Sequence, residues 1–147
     1  PPPPLFFFQA YAGIRQQPRS RGIGYVYKRQ LMDGGAGSTV EFVSGTRPIP
    51  MDRPDVVVAH ALAGQYLGMK MIYLEAGSGA KEPVAPGVVE AVNDAVDVPL
   101  IVGGGIRSPE TASKTVKAGA SIIVTGTIIE IHSNRMKELA DAVHWKE

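Results

Sequence analysis

The 147-residue sequence contains no cysteine, so disulfide bonds and thiolate metal sites are excluded. It also lacks a long apolar run, because no stretch approaches the roughly 18 apolar residues that a membrane-spanning helix requires. Aromatic residues make up only 7% of the chain, while 44% of its residues are hydrophobic and 20% are charged. These proportions are typical of one soluble globular domain, and we expect a cytoplasmic location.

Acidic residues are missing from the first thirty positions, although Arg15, Arg19, Arg21, Lys28 and Arg29 lie there. A basic segment can indicate a nucleic-acid partner. No aromatic or glycine pattern of a known nucleic-acid-binding module accompanies this one, so we expect no nucleic-acid binding.

Residues 1–30 show neither helical nor strand periodicity. The apolar segment that begins at Leu5 has no basic start and about half the usual length of a signal peptide, so we expect no secretory signal. Residues 25–30 resemble translated adapter sequence. We therefore leave residues 1–30 unassigned, as a disordered tail or a non-native segment.

From Leu31 to the end, predicted strands and helices alternate, which favours an α/β fold with a parallel sheet. Alternation and β-branched residues predict the first strand, and Asp52, Ser108 and Ser133 are predicted helix caps. The predicted strands are 39–43, 70–74, 99–102 and 121–124, and the predicted helices are 52–67, 86–96, 108–118 and 136–143.

Three of these strands run into glycine-rich turns, in the segments 72–80, 100–106 and 122–127. Glycine allows the main chain to approach a phosphate closely and to point its N–H groups inward. In parallel barrels such loops gather at one face and commonly bind phosphate. The alternative is that the glycines only make tight turns. Three glycine-rich turns at the same end of successive strands nevertheless favour a phosphate site.

Glu75 lies where the first of these strands becomes loop. Because side chains alternate along a strand, Tyr73 and Glu75 share one face and Ile72 and Leu74 share the other. If Ile72 and Leu74 pack on helices, Glu75 points into the mouth of a barrel. A carboxylate in an apolar strand end is costly unless it is hydrogen-bonded or titrates usefully, so Glu75 is the candidate catalytic residue, able to orient or deprotonate a substrate hydroxyl.

The alternative for Glu75 is a salt bridge to Lys81 or Arg107. The role of Arg107 stays open, since an arginine at a helix start can pair with phosphate or with a neighbouring acid. The histidines at 60, 132 and 144 have no metal-ligand spacing, so we expect no zinc site.

Five segments of the chain resemble the C-terminal half of geranylgeranylglyceryl phosphate synthases, and the similarity runs from about residue 31 to the end. The Tyr-Leu-Glu-Ala-Gly-Ser-Gly block is the most specific of them, because it is much narrower than a generic glycine loop. The segments are 46–50, 59–69, 73–79, 103–110 and 125–127.

This resemblance implies a TIM (β/α)8-type barrel, of which the chain holds about the last four β/α units. It implies the transfer of a prenyl group from geranylgeranyl diphosphate to sn-glycerol 1-phosphate with Mg²⁺, in archaeal ether phospholipid biosynthesis. The substrate-binding residues that it implies are Tyr73, Leu74, Glu75, Ala76, Gly77, Ser78 and Gly79 along the glycerol phosphate, with Gly104, Gly105, Gly126 and Thr127 at its phosphate.

In the family the magnesium ligands come from the first strands, so we expect no metal ligand within this chain. An open half-barrel leaves two unpaired sheet edges. We therefore expect the chain alone to be inactive and aggregation-prone, or to form a homo-oligomer that mimics closure. The prenyl product also suggests peripheral membrane contact.

Two further interpretations stay open. One is another phosphate-binding barrel, such as a heptaprenylglyceryl phosphate synthase or an isomerase of amino-acid biosynthesis. The other is a non-enzymatic remnant of an incomplete reading frame.

Overall fold

The computed structural model describes residues 5–7, 26–35 and 37–144. Its strands are β1 (Leu5–Phe7), β2 (Tyr27–Leu31), β3 (Met71–Glu75), β4 (Leu100–Gly103) and β5 (Ile122–Val124). Its helices are α1 (Thr39–Ser44), α2 (Pro54–Tyr66), α3 (Pro86–Ala95), α4 (Pro109–Lys117), α5 (Thr127–Ile131) and α6 (Met136–Val143), and a 3₁₀ turn (Ser133–Arg135) precedes α6.

The five strands form one parallel sheet in the order β1-β5-β4-β3-β2. Tyr73 pairs with Ile101, and Val102 pairs with Ile123, so the three predicted strand ends lie side by side. Because the strands are parallel, the loops that follow β3, β4 and β5 gather at the same edge of the sheet.

Helices cover one face of this sheet. Ile72 and Leu74 of β3 are fully buried in a core that includes Val57 of α2 and Val89 of α3. Tyr73 and Glu75 point to the opposite face, where they line a cleft. The predicted division of the two faces of β3 is confirmed.

The predicted start of the 108–118 helix is confirmed by its cap. The backbone N–H of Thr111 donates to the Ser108 hydroxyl at 3.2 Å, and Pro109 occupies the first helical position. The predicted cap at Asp52 is wrong. Helix α2 begins at Pro54, its N-cap Arg53 makes no side-chain cap bond, and the Arg53 guanidinium instead donates to the Asp55 carboxylate at 2.7 and 2.9 Å.

The strand predicted over residues 39–43 is wrong, because these residues form helix α1. The Ser38 hydroxyl accepts from the N–H of Glu41 at 3.1 Å, and Gly45 ends the helix at a φ of 61°. A serine with a glutamate three residues later is a helix-start signal, which outweighs the β-branched content of so short a segment.

Strand β2 takes the place in the sheet that was predicted for residues 39–43. It crosses the boundary at residue 30 and pairs with β3, with Leu31 opposite Glu75. Its sequence carries no alternation, so only the pairing with a buried neighbour reveals it. Most of the segment predicted to be disordered or non-native lies outside the described residues.

The C-terminal prediction is partly corrected. The predicted helix 136–143 is confirmed as α6, which buries Leu139 and Val143. Its predicted cap is wrong, because residue 133 begins the 3₁₀ turn and the N-cap is Arg135. The short helix α5 was not predicted, and His132 forms its C-cap. No helix in the described ranges is long and apolar enough to cross a membrane.

Candidate functional site

A cleft opens at the carboxyl edge of the sheet, between the three glycine loops, α1 and α5. Most of the residues predicted to bind substrate lie together in its lining. They are Tyr73, Glu75, Gly77, Ser78, Gly79, Gly104, Gly105, Gly126 and Thr127.

Leu74 and Ala76 are also predicted substrate residues, but their side chains do not line the cleft. Both are buried in the hydrophobic core beneath the loops. The backbone N–H of Ala76 already donates to the carbonyl of Gly103 at 2.9 Å. Both residues therefore support the site from below.

The first two glycine loops pack directly on each other. A Cβ on Gly104 would lie 2.7 Å from the backbone N and O of Gly77, and a Cβ on Gly105 would lie 2.7 Å from the backbone N of Pro83. Gly77, Gly104 and Gly105 also have φ values of 97°, 85° and 71°, which side chains disfavour. Loop packing alone therefore requires these glycines, and it also brings their backbones to the wall of the cleft.

The Tyr73 ring is buried beneath the cleft. Gly103 makes room for it, because a Cβ there would lie 2.8 Å from the Tyr73 hydroxyl oxygen. Burial raises the pKa of Tyr73, and the nearby charge of Glu75 raises it further. The hydroxyl therefore stays protonated and can donate a hydrogen bond into the cleft.

Glu75 is 7% exposed and forms an ion pair with Arg29, whose Nε lies 2.9 Å from Glu75 Oε2. Its partner is thus neither Lys81 nor Arg107. Apart from this ion pair, Oε2 is buried without a hydrogen-bond partner among the described residues. Burial raises the pKa of Glu75, and the charge of Arg29 only partly opposes this effect.

This raised pKa predicts the pH dependence of stability. Burial disfavours the ionised carboxylate in the folded state, so the stability that Glu75 contributes is fully present below its ordinary pKa of 4.5 and is lost as pH rises through the raised value. We expect wild type to lose stability relative to Glu75→Gln between pH 4 and pH 7, as measured by urea unfolding at both pH values. Glu82→Gln, at an exposed residue after the same strand, is the control. If wild type instead gains stability relative to Glu75→Gln between pH 4 and pH 7, the Arg29 ion pair outweighs burial.

Arg107 does not pair with an acid among the described residues. Its guanidinium donates to the carbonyl of Lys81 at 3.0 Å and to the carbonyl of Ala80. On the other side, the buried Thr125 hydroxyl donates to the carbonyl of Ile106 at 3.1 Å. Hydrogen bonds therefore connect the loops after β3, β4 and β5.

Comparison with known proteins decides the family. A family model described as "PcrB family" matches residues 33–143. The chain belongs to this family. The resemblance seen in the sequence is thus confirmed, and Arg29 lies outside the matched residues.

Two curated relatives of this PcrB-family chain are named geranylgeranylglyceryl phosphate synthase. The protein from Chitinophaga pinensis is 49% identical over 121 residues, which are 82% of this chain and 46% of the relative. The protein from Pyrococcus horikoshii is 61% identical over 94 residues, which are 64% of this chain and 37% of the relative. The chain therefore spans less than half the length of either relative.

A solved structure extends the likeness to the fold. It is (S)-3-O-geranylgeranylglyceryl phosphate synthase from Thermoplasma acidophilum in complex with sn-glycerol 1-phosphate. The two chains are 37% identical with a TM-score of 0.76, over 82% of this chain and 49% of that one. The predicted α/β fold of the TIM-barrel type is confirmed.

Sequence reasoning missed several residues that line the cleft of this PcrB-family chain. The missed helices α1 and α5 supply some of them, and the capping pattern of Ser38 and Glu41 is the signal that could have revealed α1. The missed residues are Arg29, Thr39, Val40, Ile106, Val124, Thr125, Ile128 and Glu130.

Metal-binding side chains do not gather in this part of the barrel. Within residues 5–7, 26–35 and 37–144, no three His, Asp or Glu side chains lie close enough to hold a metal ion together.

Proposed function

We propose that the chain forms the glycerol-phosphate-binding part of a prenyltransferase that joins sn-glycerol 1-phosphate to geranylgeranyl diphosphate in archaeal-type ether lipid synthesis. The names of the curated relatives support this proposal. So does the Thermoplasma acidophilum structure, whose name includes sn-glycerol 1-phosphate as the substrate.

One observation carries the proposal. Glu75 Oε2 is buried at the cleft and has no hydrogen-bond partner in the described part of the chain. The charge of Arg29 offsets part of the cost of burying this oxygen, but the oxygen still lacks a hydrogen-bond donor. A hydroxyl group bound in the cleft would donate the missing hydrogen bond, and glycerol phosphate carries such hydroxyls.

The phosphate of the same ligand would meet the glycine loops. Gly104 and Gly105 come from the loop after β4, and Gly126 and Thr127 come from the loop after β5. The three glycines among them have no side chain, which lets backbone N–H groups approach an anion. A small ligand with a phosphate at one end and a hydroxyl at the other matches this arrangement.

In the proposed reaction, Glu75 orients the attacking hydroxyl. The hydroxyl oxygen forms a bond to the allylic carbon of the prenyl diphosphate while the bond from that carbon to the diphosphate oxygen breaks. The diphosphate leaves with the bonding electrons, and the hydroxyl proton passes to the Glu75 carboxylate. The raised pKa of Glu75 makes it a better proton acceptor.

Mg²⁺, which the resemblance implies, would neutralise the leaving diphosphate. The described residues hold no cluster of three His, Asp or Glu side chains, and we assign them no step through the ion. The cytoplasmic location, the homo-oligomer and the peripheral membrane contact stay predictions.

The proposal is tested by calorimetric titration of the chain with sn-glycerol 1-phosphate, with its mirror image sn-glycerol 3-phosphate and with inorganic phosphate. We expect sn-glycerol 1-phosphate to bind about tenfold more tightly than its mirror image, because inverting the stereocentre misplaces one buried hydrogen bond. Equal affinity for the two would contradict the proposal. Binding of inorganic phosphate alone would instead favour another phosphate-binding barrel.

A further inference from the structure

The three glycine loops can meet one phosphate only if their mutual spacing is fixed. Two consecutive residues of the middle loop, Ile106 and Arg107, lie at the junction of all three. Arg107 contacts the loop after β3 through its guanidinium, and Ile106 contacts the end of β5 through its backbone carbonyl.

The contact to the loop after β3 is made by the Arg107 guanidinium. It donates to the carbonyls of Ala80 and Lys81, 27 and 26 residues earlier in the chain. A planar guanidinium can hold two neighbouring carbonyls at once, which a lysine ammonium cannot do with the same geometry. Arg107 therefore fixes both the distance and the orientation of that loop.

The contact to the end of β5 is made by Thr125, which is only 4% exposed. Its hydroxyl donates to the carbonyl of Ile106 at 3.1 Å. Without this donor the carbonyl would lose a buried hydrogen bond, so the position of the loop after β5 depends on it. Gly126 and Thr127 follow directly along the chain.

The backbones of the first two loops approach each other closely. A Cβ on Gly105 would already be 2.7 Å from Pro83, so the backbones are in contact. A small displacement therefore moves the N–H groups of one loop relative to those of the next.

We propose that Arg107 and Thr125 are positioning residues that hold the three glycine loops at the spacing needed to bind a phosphate group. The nature of the whole ligand rests on the proposed function. The spacing itself concerns only the phosphate, and inorganic phosphate can probe it separately.

The experiment uses the full chain with Arg107→Lys, Thr125→Val and Thr125→Ser. Arg107→Lys keeps the positive charge and loses the planar guanidinium. Thr125→Val keeps the side-chain shape and loses the hydroxyl, whereas Thr125→Ser keeps the hydroxyl. We expect the first two variants to weaken sn-glycerol 1-phosphate and inorganic phosphate equally, by about tenfold, while Thr125→Ser stays within about twofold of wild type.

Amide hydrogen exchange without ligand separates positioning from general destabilisation. We expect faster exchange in residues 76–83 and 103–107 of Arg107→Lys and in residues 103–107 and 125–127 of Thr125→Val, with α2 and α3 unchanged in both. Wild-type affinity in both variants, or faster exchange spread evenly over the chain, would overturn the inference. If wild type binds inorganic phosphate without preferring glycerol phosphate, the proposed function fails while the inference is still decided on phosphate. If wild type binds neither, both are overturned.

Discussion

Replacing Gly104 by alanine is expected to lower the free energy of unfolding by about 2 to 5 kcal/mol and to abolish measurable phosphate binding. The φ of 85° costs a side chain about 1 to 2 kcal/mol. The new Cβ would also lie 2.7 Å from the backbone of Gly77, and such overpacking costs about 1 to 3 kcal/mol more. Urea unfolding and calorimetric titration with inorganic phosphate measure the two effects.

Two other glycines separate these causes. Gly79 has a φ of 74° but nothing within 4 Å of an added Cβ. Gly79→Ala should therefore lower the free energy of unfolding only by the about 1 to 2 kcal/mol that the positive φ costs a side chain. Gly87 lies in α3 with open space around it, so Gly87→Ala should be neutral or should stabilise by up to about 1 kcal/mol. If Gly104→Ala and Gly79→Ala lower the free energy of unfolding equally, the close packing of Gly104 against Gly77 does not contribute to stability.

Replacing Glu75 by alanine is expected to weaken sn-glycerol 1-phosphate binding by about tenfold to a hundredfold. A hydrogen bond to a charged group contributes about 1.5 to 3 kcal/mol, and Glu75 Oε2 is the buried acceptor that lacks a donor in the described part of the protein. Calorimetric titration of the chain with sn-glycerol 1-phosphate measures the loss.

Inorganic phosphate is the internal control for Glu75→Ala. Its affinity should not fall, because Glu75 meets the hydroxyl end of the ligand and the glycine loops meet the phosphate. Glu82→Ala, at an exposed residue outside the cleft, should leave both affinities unchanged. A parallel loss of both ligands in Glu75→Ala would contradict the assigned role and indicate a collapsed cleft.

These predictions divide the site into two functional parts. The loops after β4 and β5 present backbone to an anion, whereas the end of β3 adds the side chains of Tyr73 and Glu75. The three glycine turns are similar in sequence, yet only the first brings a buried carboxylate to the cleft. The hydroxyl specificity of the site therefore depends on β3, and its phosphate affinity depends on the other two loops.

Much of the fold follows from local sequence patterns. The alternation along residues 71–75 predicted that Ile72 and Leu74 enter the core while Tyr73 and Glu75 face the site. Serine at residue 108 and proline at residue 109 predicted the start of α4. The phasing of glycines after three strands predicted loops at one edge, because parallel strands all end on the same side.

The errors concern segments whose structure depends on distant partners. Three of the five residues 39–43 are β-branched, but the sheet position beside β3 is occupied by β2, and α1 forms instead. Strand β2 has no periodic signal of its own, since it is defined by its pairing with β3.

The sequence by itself determined the alternation of strands and helices, the faces of β3 and the place of the glycine loops, because backbone periodicity and glycine conformation are local properties. Only the tertiary structure decided that Arg29 pairs with Glu75, and that Arg107 and Thr125 bind carbonyls of neighbouring loops. These contacts join residues 19 to 46 positions apart, which no local pattern encodes. The charge and the spacing of the site are therefore properties of the assembled sheet edge.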